Sequence, residues 1–135
     1  MTNNSLGEIL LIGILAGVAA TAAAYLIARA GANLTGAAPA FAPFTLLPVA
    51  SGGFGGALSA SVIFWILSLV FESPQTIFIA ISTVALLASF HLPFRLTNHR
   101  SPRFKGARLS TQLILCLMHT IVAAVSVAAM LIFAR

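Results

Sequence analysis

Nine formal charges punctuate 135 residues, and the gaps between them limit what this chain can fold into more than any other feature. They fall at Glu8, Arg29, Glu72, Arg95, Arg100, Arg103, Lys105, Arg108 and Arg135. Uncharged runs of 20, 42, 22 and 26 residues follow Glu8, Arg29, Glu72 and Arg108. About 20 apolar residues, at about 1.5 Å of rise each, cross about 30 Å of hydrocarbon. Three of the runs hold one crossing each, and the longest holds a loop plus a crossing. The expected fold is all-α: a single-domain integral membrane four-helix bundle over residues 1–135, with spans at about 9–28, 48–71, 74–92 and 109–134. Composition agrees, since 7% of the chain is charged and 60% hydrophobic, with a mean hydropathy of +1.08. Soluble domains carry about 25% charged residues. A soluble fold is excluded. Met1 to Glu8 has no basic segment and the apolar run after it is longer than a signal-peptide core, so the first span is expected to be retained.

The charges also set an orientation. Arg29 and the five basic residues of loop 94–108 lie on one side of the membrane, and Arg135 lies on the other with Glu8 and Glu72. Short loops rich in Lys and Arg stay in the cytoplasm. Both termini are therefore expected outside, with loops 30–47 and 94–108 cytoplasmic. The pI near 11.3 is not a nucleic-acid signal, because Arg95, Arg100, Arg103, Lys105 and Arg108 abut a membrane. There they suit anionic headgroups or an acidic partner face, at about 1 kcal/mol per basic residue.

Small residues recur at helical spacing. Gly13, Gly17 and Thr21 form one row on span one, and Ala16, Ala20, Ala24 and Ala28 form the next. On span two, Gly52, Gly56 and Ala60 lie beside Ser51, Gly55 and Ser59. Such rows let helix backbones approach closely in lipid. Span one is expected to stop near Gly31, and Ser73-Pro74 reads as a capped start for span three, which should end at Pro93. The uncharged connector with Phe41 and Phe44 is too proline-rich for helix and too apolar for free solvation, so it should pack against the helix ends. Span four carries Gln112, Cys116, His119, Ala123 and Ser126 at alternating spacings of four and three, a packing seam.

Few side chains can carry chemistry. The chain has no Asp, and both Glu residues lie at the outer surface, which argues against ion-coupled transport and against an enzyme. Cys116 reads as a packing residue, His99 as solvated and His91 as reaching the headgroups. His119 stands about ten residues into span four, near mid-membrane, where an imidazole needs a partner. That partner is an interhelical hydrogen bond to Ser, Thr or a backbone carbonyl, or a ligand (haem, a (bacterio)chlorophyll or a quinone), the remaining alternative being proton handling.

Several features together resemble a known family. They are the small-residue first and second helices, the Pro/Phe connector, the Ser89-x-x-x-Pro93 ending and Leu115-x-x-Met118-His119-x-x-x-Ala123. From about Ala19 to Leu131 the chain is similar to the small four-helix bacterial membrane proteins of domain-of-unknown-function family 6069. The resemblance implies four spans in a bacterial inner membrane and no established activity. The leading expectation is a non-catalytic accessory subunit that packs against a larger membrane complex of respiratory or photosynthetic type, or against copies of itself, with no cofactor. The alternatives are a ligand-binding module built on His119 and a small oligomeric transporter or channel.

Overall fold

The computed structural model describes residues 5–37, 41–95, 104 and 107–134. Helix α1 spans Leu6–Thr35, α2 Leu46–Val70, α3 Pro74–Ser89, α4 His91–Arg95 and α5 Leu109–Phe133, and no strand occurs among the described residues. Four stretches are long and apolar enough to cross a membrane, with α3 and α4 counted as one. The chain is a multi-pass, all-α membrane protein. Up-and-down connectivity puts Arg29, Arg95 and Arg108 at one end of the bundle and Glu8 and Glu72 at the other.

The helix ends follow local chemistry, with three departures from expectation. Helix α1 starts on a capping box: Ser5 Oγ accepts the Glu8 N–H at 3.3 Å, and Glu8 Oε2 accepts the Ser5 N–H at 2.7 Å. It does not stop at Gly31, which is buried inside the helix against Ile114. Gly36 ends it instead, in the left-handed region at φ 62°, which glycine adopts without steric cost. Ser73 supplies no side-chain cap to α3, although Pro74 does open that helix. Finally, α3 ends at Ser89, before Pro93. Pro93 has no N–H to give the Ser89 carbonyl and its ring would clash there, so the chain breaks at Phe90 and resumes as the single turn of α4. Helix α2 begins two residues before Pro48, within a first turn whose N–H groups lack intrahelical partners anyway.

Packing is uneven. Helix α1 lies along both α2 and α5 and buries Gly13, Ala16, Gly17, Ala20, Ala24 and Ala28. The opposing row on α2 is Gly53, Ala57 and Ser61. A Cβ on Gly53 would lie 3.1 Å from the Thr21 backbone, one on Gly17 would lie 2.8 Å from the Phe54 ring, and one on Gly13 would strike Ser61 Oγ. Gly56 approaches Val122 of α5. Gly52 and Gly55 do not fill the expected packing role, because a Cβ there would meet nothing within 4 Å among the described residues. The row turned towards α1 lies one residue further along the helix.

Two apolar clusters close the ends of the bundle. At the Arg29 end, Phe41 and Phe44 fold inward edge-to-face, with ring centres 5.0 Å apart, and pack with Ala24, Ala28, Val49, Leu115 and Met118. The connector thus packs against helix ends as its composition demands. At the other end, Phe64 and Phe78 make a second edge-to-face pair at 5.1 Å, with Ile9, Leu67 and Met130 around it.

Candidate functional site

Between these plugs α2, α3 and α5 do not close on one another. They leave a groove of about 470 Å³, within the range of about 300–1,000 Å³ typical of small-molecule sites. Among bulkier side chains such as Phe78, Leu86 and Met118, short ones make part of its wall. Gly52, Gly56 and Ser59 come from α2, Ser82 and Ala85 from α3, and Ala123 from α5. Ile63 and Ile81 stand at its exposed margin. Thus the α2 row of Gly52 and Gly56 and the α5 seam of His119, Ala123 and Ser126 face an open space.

His119 lines this groove and is partly buried. Its hydrogen bond runs within α5, to the Leu115 carbonyl one turn back, rather than to another helix as the interhelical alternative requires. The contact is Nδ1 to O at 2.7 Å. A carbonyl only accepts, so the proton sits on Nδ1. With Nδ1 so engaged, Nε2 has no protein partner among the described residues. A histidine held in this tautomer by its other nitrogen is set up to accept a hydrogen bond or to ligate.

The hydroxyls divide in a related way. Ser61, Ser68, Thr83, Ser89 and Thr120 turn back onto carbonyls of their own helices at 2.6 to 2.9 Å. Ser59, Ser82 and Ser126, all on the groove, make no hydrogen bond among the described residues. Ser126 is the informative one. It is only 3% exposed, and its Oγ is buried without a partner. An unsatisfied buried hydroxyl costs about 1–3 kcal/mol. Thr21 Oγ1, against Gly53 in the α1 seam, is the other such atom among the described residues.

The remaining candidates fall elsewhere. Arg95 and Arg108 are exposed at the Arg29 end, where the Arg108 N–H donates to Thr111 Oγ1 at 2.8 Å to start α5. Arg100, Arg103, Lys105 and His99 lie outside the described residues. His91 is exposed on α4, and Cys116 is a partly buried free thiol. No group of three or more His, Cys, Asp or Glu side chains that could hold a metal occurs among the described residues. The role of Ser126 as an unpaired hydroxyl and the contribution of Ser82 and Ala85 were missed in the sequence. The available signal was that Ser126 stands seven residues, two turns, after His119.

Over residues 4–135 the chain matches the model of a family of unknown function (DUF6069). It belongs to that family. The match covers the groove-forming helices α2, α3 and α5 in full. No curated protein and no solved structure matches the chain.

Proposed function

We propose that this member of the family is a non-catalytic membrane module that holds a small apolar ligand in the groove between α2, α3 and α5, with His119 as its polar anchor. One observation carries the reading: an imidazole with an unused Nε2 stands on a groove of ligand size in the apolar part of the bundle. Haem, a chlorophyll-type pigment and a quinone are the ligand classes that such a nitrogen serves. The test is purification of the chain in mild detergent, followed by extraction and mass analysis of bound molecules, beside an absorbance spectrum. A ligand should be recovered from the parent and lost in Ala123→Leu, which fills the groove. Equal recovery from both would remove the reading.

A second reading, an accessory subunit of a larger membrane complex or a homo-oligomer, is favoured by α3. Only 11% of its apolar stretch is buried inside the chain, leaving most of that helix for lipid or a neighbouring subunit. Co-purification with a partner, or migration as a multiple of 14.0 kDa, is its expected signature. Under either reading, the setting is a bacterial inner membrane with both termini outside. Loop 94–108 would meet anionic headgroups, and a reporter fused to the C-terminus would be active only in the periplasm.

A further inference from the structure

We propose that α3 is a gate on the groove: its C-terminal half swings about Phe78, between the open position of this structure and a closed one packed on α2 and α5. Such a gate requires neither His119 nor a known ligand. It follows from how α3 is fastened. The helix buries two residues, Pro74 and Phe78, both near its N-terminus. Phe78 is 1% exposed and meets Phe64 of α2 edge-to-face, with Ile9, Leu67 and Met130 around the pair. The next buried residue is Pro93, beyond the helix, and residues 79–92 contain none. On α2, by contrast, buried residues recur every three or four positions from Val49 to Leu67.

Both ends of the unpinned half permit movement. Phe78 is a single ring in a socket, which fixes a point rather than an axis. At the other end the helix breaks. There the Phe90 N–H reaches the Leu87 carbonyl at 3.3 Å instead of bonding four residues back, and Pro93 has no N–H for the Ser89 carbonyl. Hinges are commonly a few residues at the ends of elements. Apart from Phe78, every α3 side chain on the groove lies in this half: Ile81, Ser82, Ala85, Leu86 and Ser89. Ser82, Ala85 and Ser89 form a small face at spacings of three and four. Across the gap, a Cβ on Gly52 would meet nothing within 4 Å among the described residues, and one on Gly56 would meet only Val122 of α5. Small faces on neighbouring helices gain contacts by coming together, as Gly53 does with the Thr21 backbone on the α1 side. Closing α3 gives its side of the bundle the same kind of seam. An occupant fits only the open position, so binding shifts the balance toward it.

The experiment is double electron–electron resonance on the full chain in nanodiscs, in a Cys116→Ser background. Spin labels at Val18→Cys on α1 and Val84→Cys on α3, both exposed positions, read the distance across the bundle. Two distances are expected, the shorter from the closed form. Labels at Leu11→Cys and Ile79→Cys, with Ile79 beside the pivot and both positions exposed, should give a single distance. Ala123→Leu, which fills the groove, should reduce the shorter-distance population about tenfold. A second measurement serves if a labelled chain does not fold. Gly56→Cys with Ala85→Cys should form a disulfide on mild oxidation, which needs Cβ atoms about 3.8 Å apart and therefore the closed position. Its yield should also fall about tenfold with Ala123→Leu. A single distance between Val18 and Val84, two distances of equal spread at both label pairs, or a disulfide yield indifferent to Ala123→Leu would overturn the gate. None of these outcomes bears on the ligand reading, which stands or falls on the molecules extracted with the protein.

Discussion

Helices α1 and α3 both lean on α2 and α5, but they do so differently. A third of the apolar stretch of α1 is buried inside the chain, 33%, against 11% for α3. On the α1 side the small residues are used up: Gly53 sits against the Thr21 backbone and Gly17 against Phe54. On the α3 side the same residue types, Gly52, Ser59, Ala85 and Ala123, face a groove. Lipid offers no hydrophobic drive between helices, so close packing is what holds α1 in place. The α3 side forgoes much of that packing, and His119 Nε2 and Ser126 Oγ are without a protein partner there among the described residues, as Thr21 Oγ1 is in the α1 seam. One side of the bundle is built for cohesion, and the other leaves room.

Substitutions can break or sharpen this contrast. The largest loss is expected from Phe41→Ala, which empties a fully buried site in the plug beside α1: about 3–5 kcal/mol by reversible unfolding in detergent. A loss below about 1 kcal/mol, the ordinary range for surface changes, would show that the connector is not part of the core. Next, Gly53→Ala and Gly17→Ala should each cost about 1–3 kcal/mol through overpacking. Gly52→Ala and Gly55→Ala should stay within about 0.5 kcal/mol. Equal losses at all four glycines would erase the difference between the two sides. In a Cys116→Ser background, Ala85→Cys should react with a maleimide while Ala20→Cys, on the fully buried face of α1, stays unlabelled. Comparable labelling of both would mean that α1 is as loosely held as α3. The smallest effect belongs to Ser126→Ala. With no hydrogen bond to lose, it should leave stability unchanged or raise it by up to about 1 kcal/mol. A clear loss of stability would show that the hydroxyl has a partner within the bundle.

Much of the cohesive side could be read from the sequence, because it depends on one helix at a time. The rows Gly13–Gly17 and Ala16–Ala28 have the period of a helix face, and they form the buried face of α1. Span two was harder. Its paired glycines, Gly52-Gly53 and Gly55-Gly56, create several small rows side by side, and periodicity alone does not say which one turns to α1. The structure selects Gly53, Ala57 and Ser61. The stop of α1 is not legible in the sequence, because Gly31 and Gly36 are alike there. Burial against Ile114 keeps the first helical, while a left-handed backbone at the second ends the helix. His119 was visible as a polar group at depth, but its partner was not, since a bond back to Leu115 leaves no trace in composition. The groove could not be read at all, because it arises from how far α3 stands from α2 and α5.

The two phenylalanine pairs have a consequence for how any occupant arrives. Phe41–Phe44 packs at one end of the bundle and Phe64–Phe78 towards the other, while the groove beside them is open along α2 and α3, where Ser59, Ile63, Ile81 and Ala85 are exposed. On the proposed function, an occupant enters through this lipid-facing side, across a margin that includes Ile63 and Ile81. A molecule must first dissolve in the membrane. The concentration that governs occupancy is then its mole fraction among lipids, and diluting the protein at a fixed lipid-to-ligand ratio should leave the groove equally full.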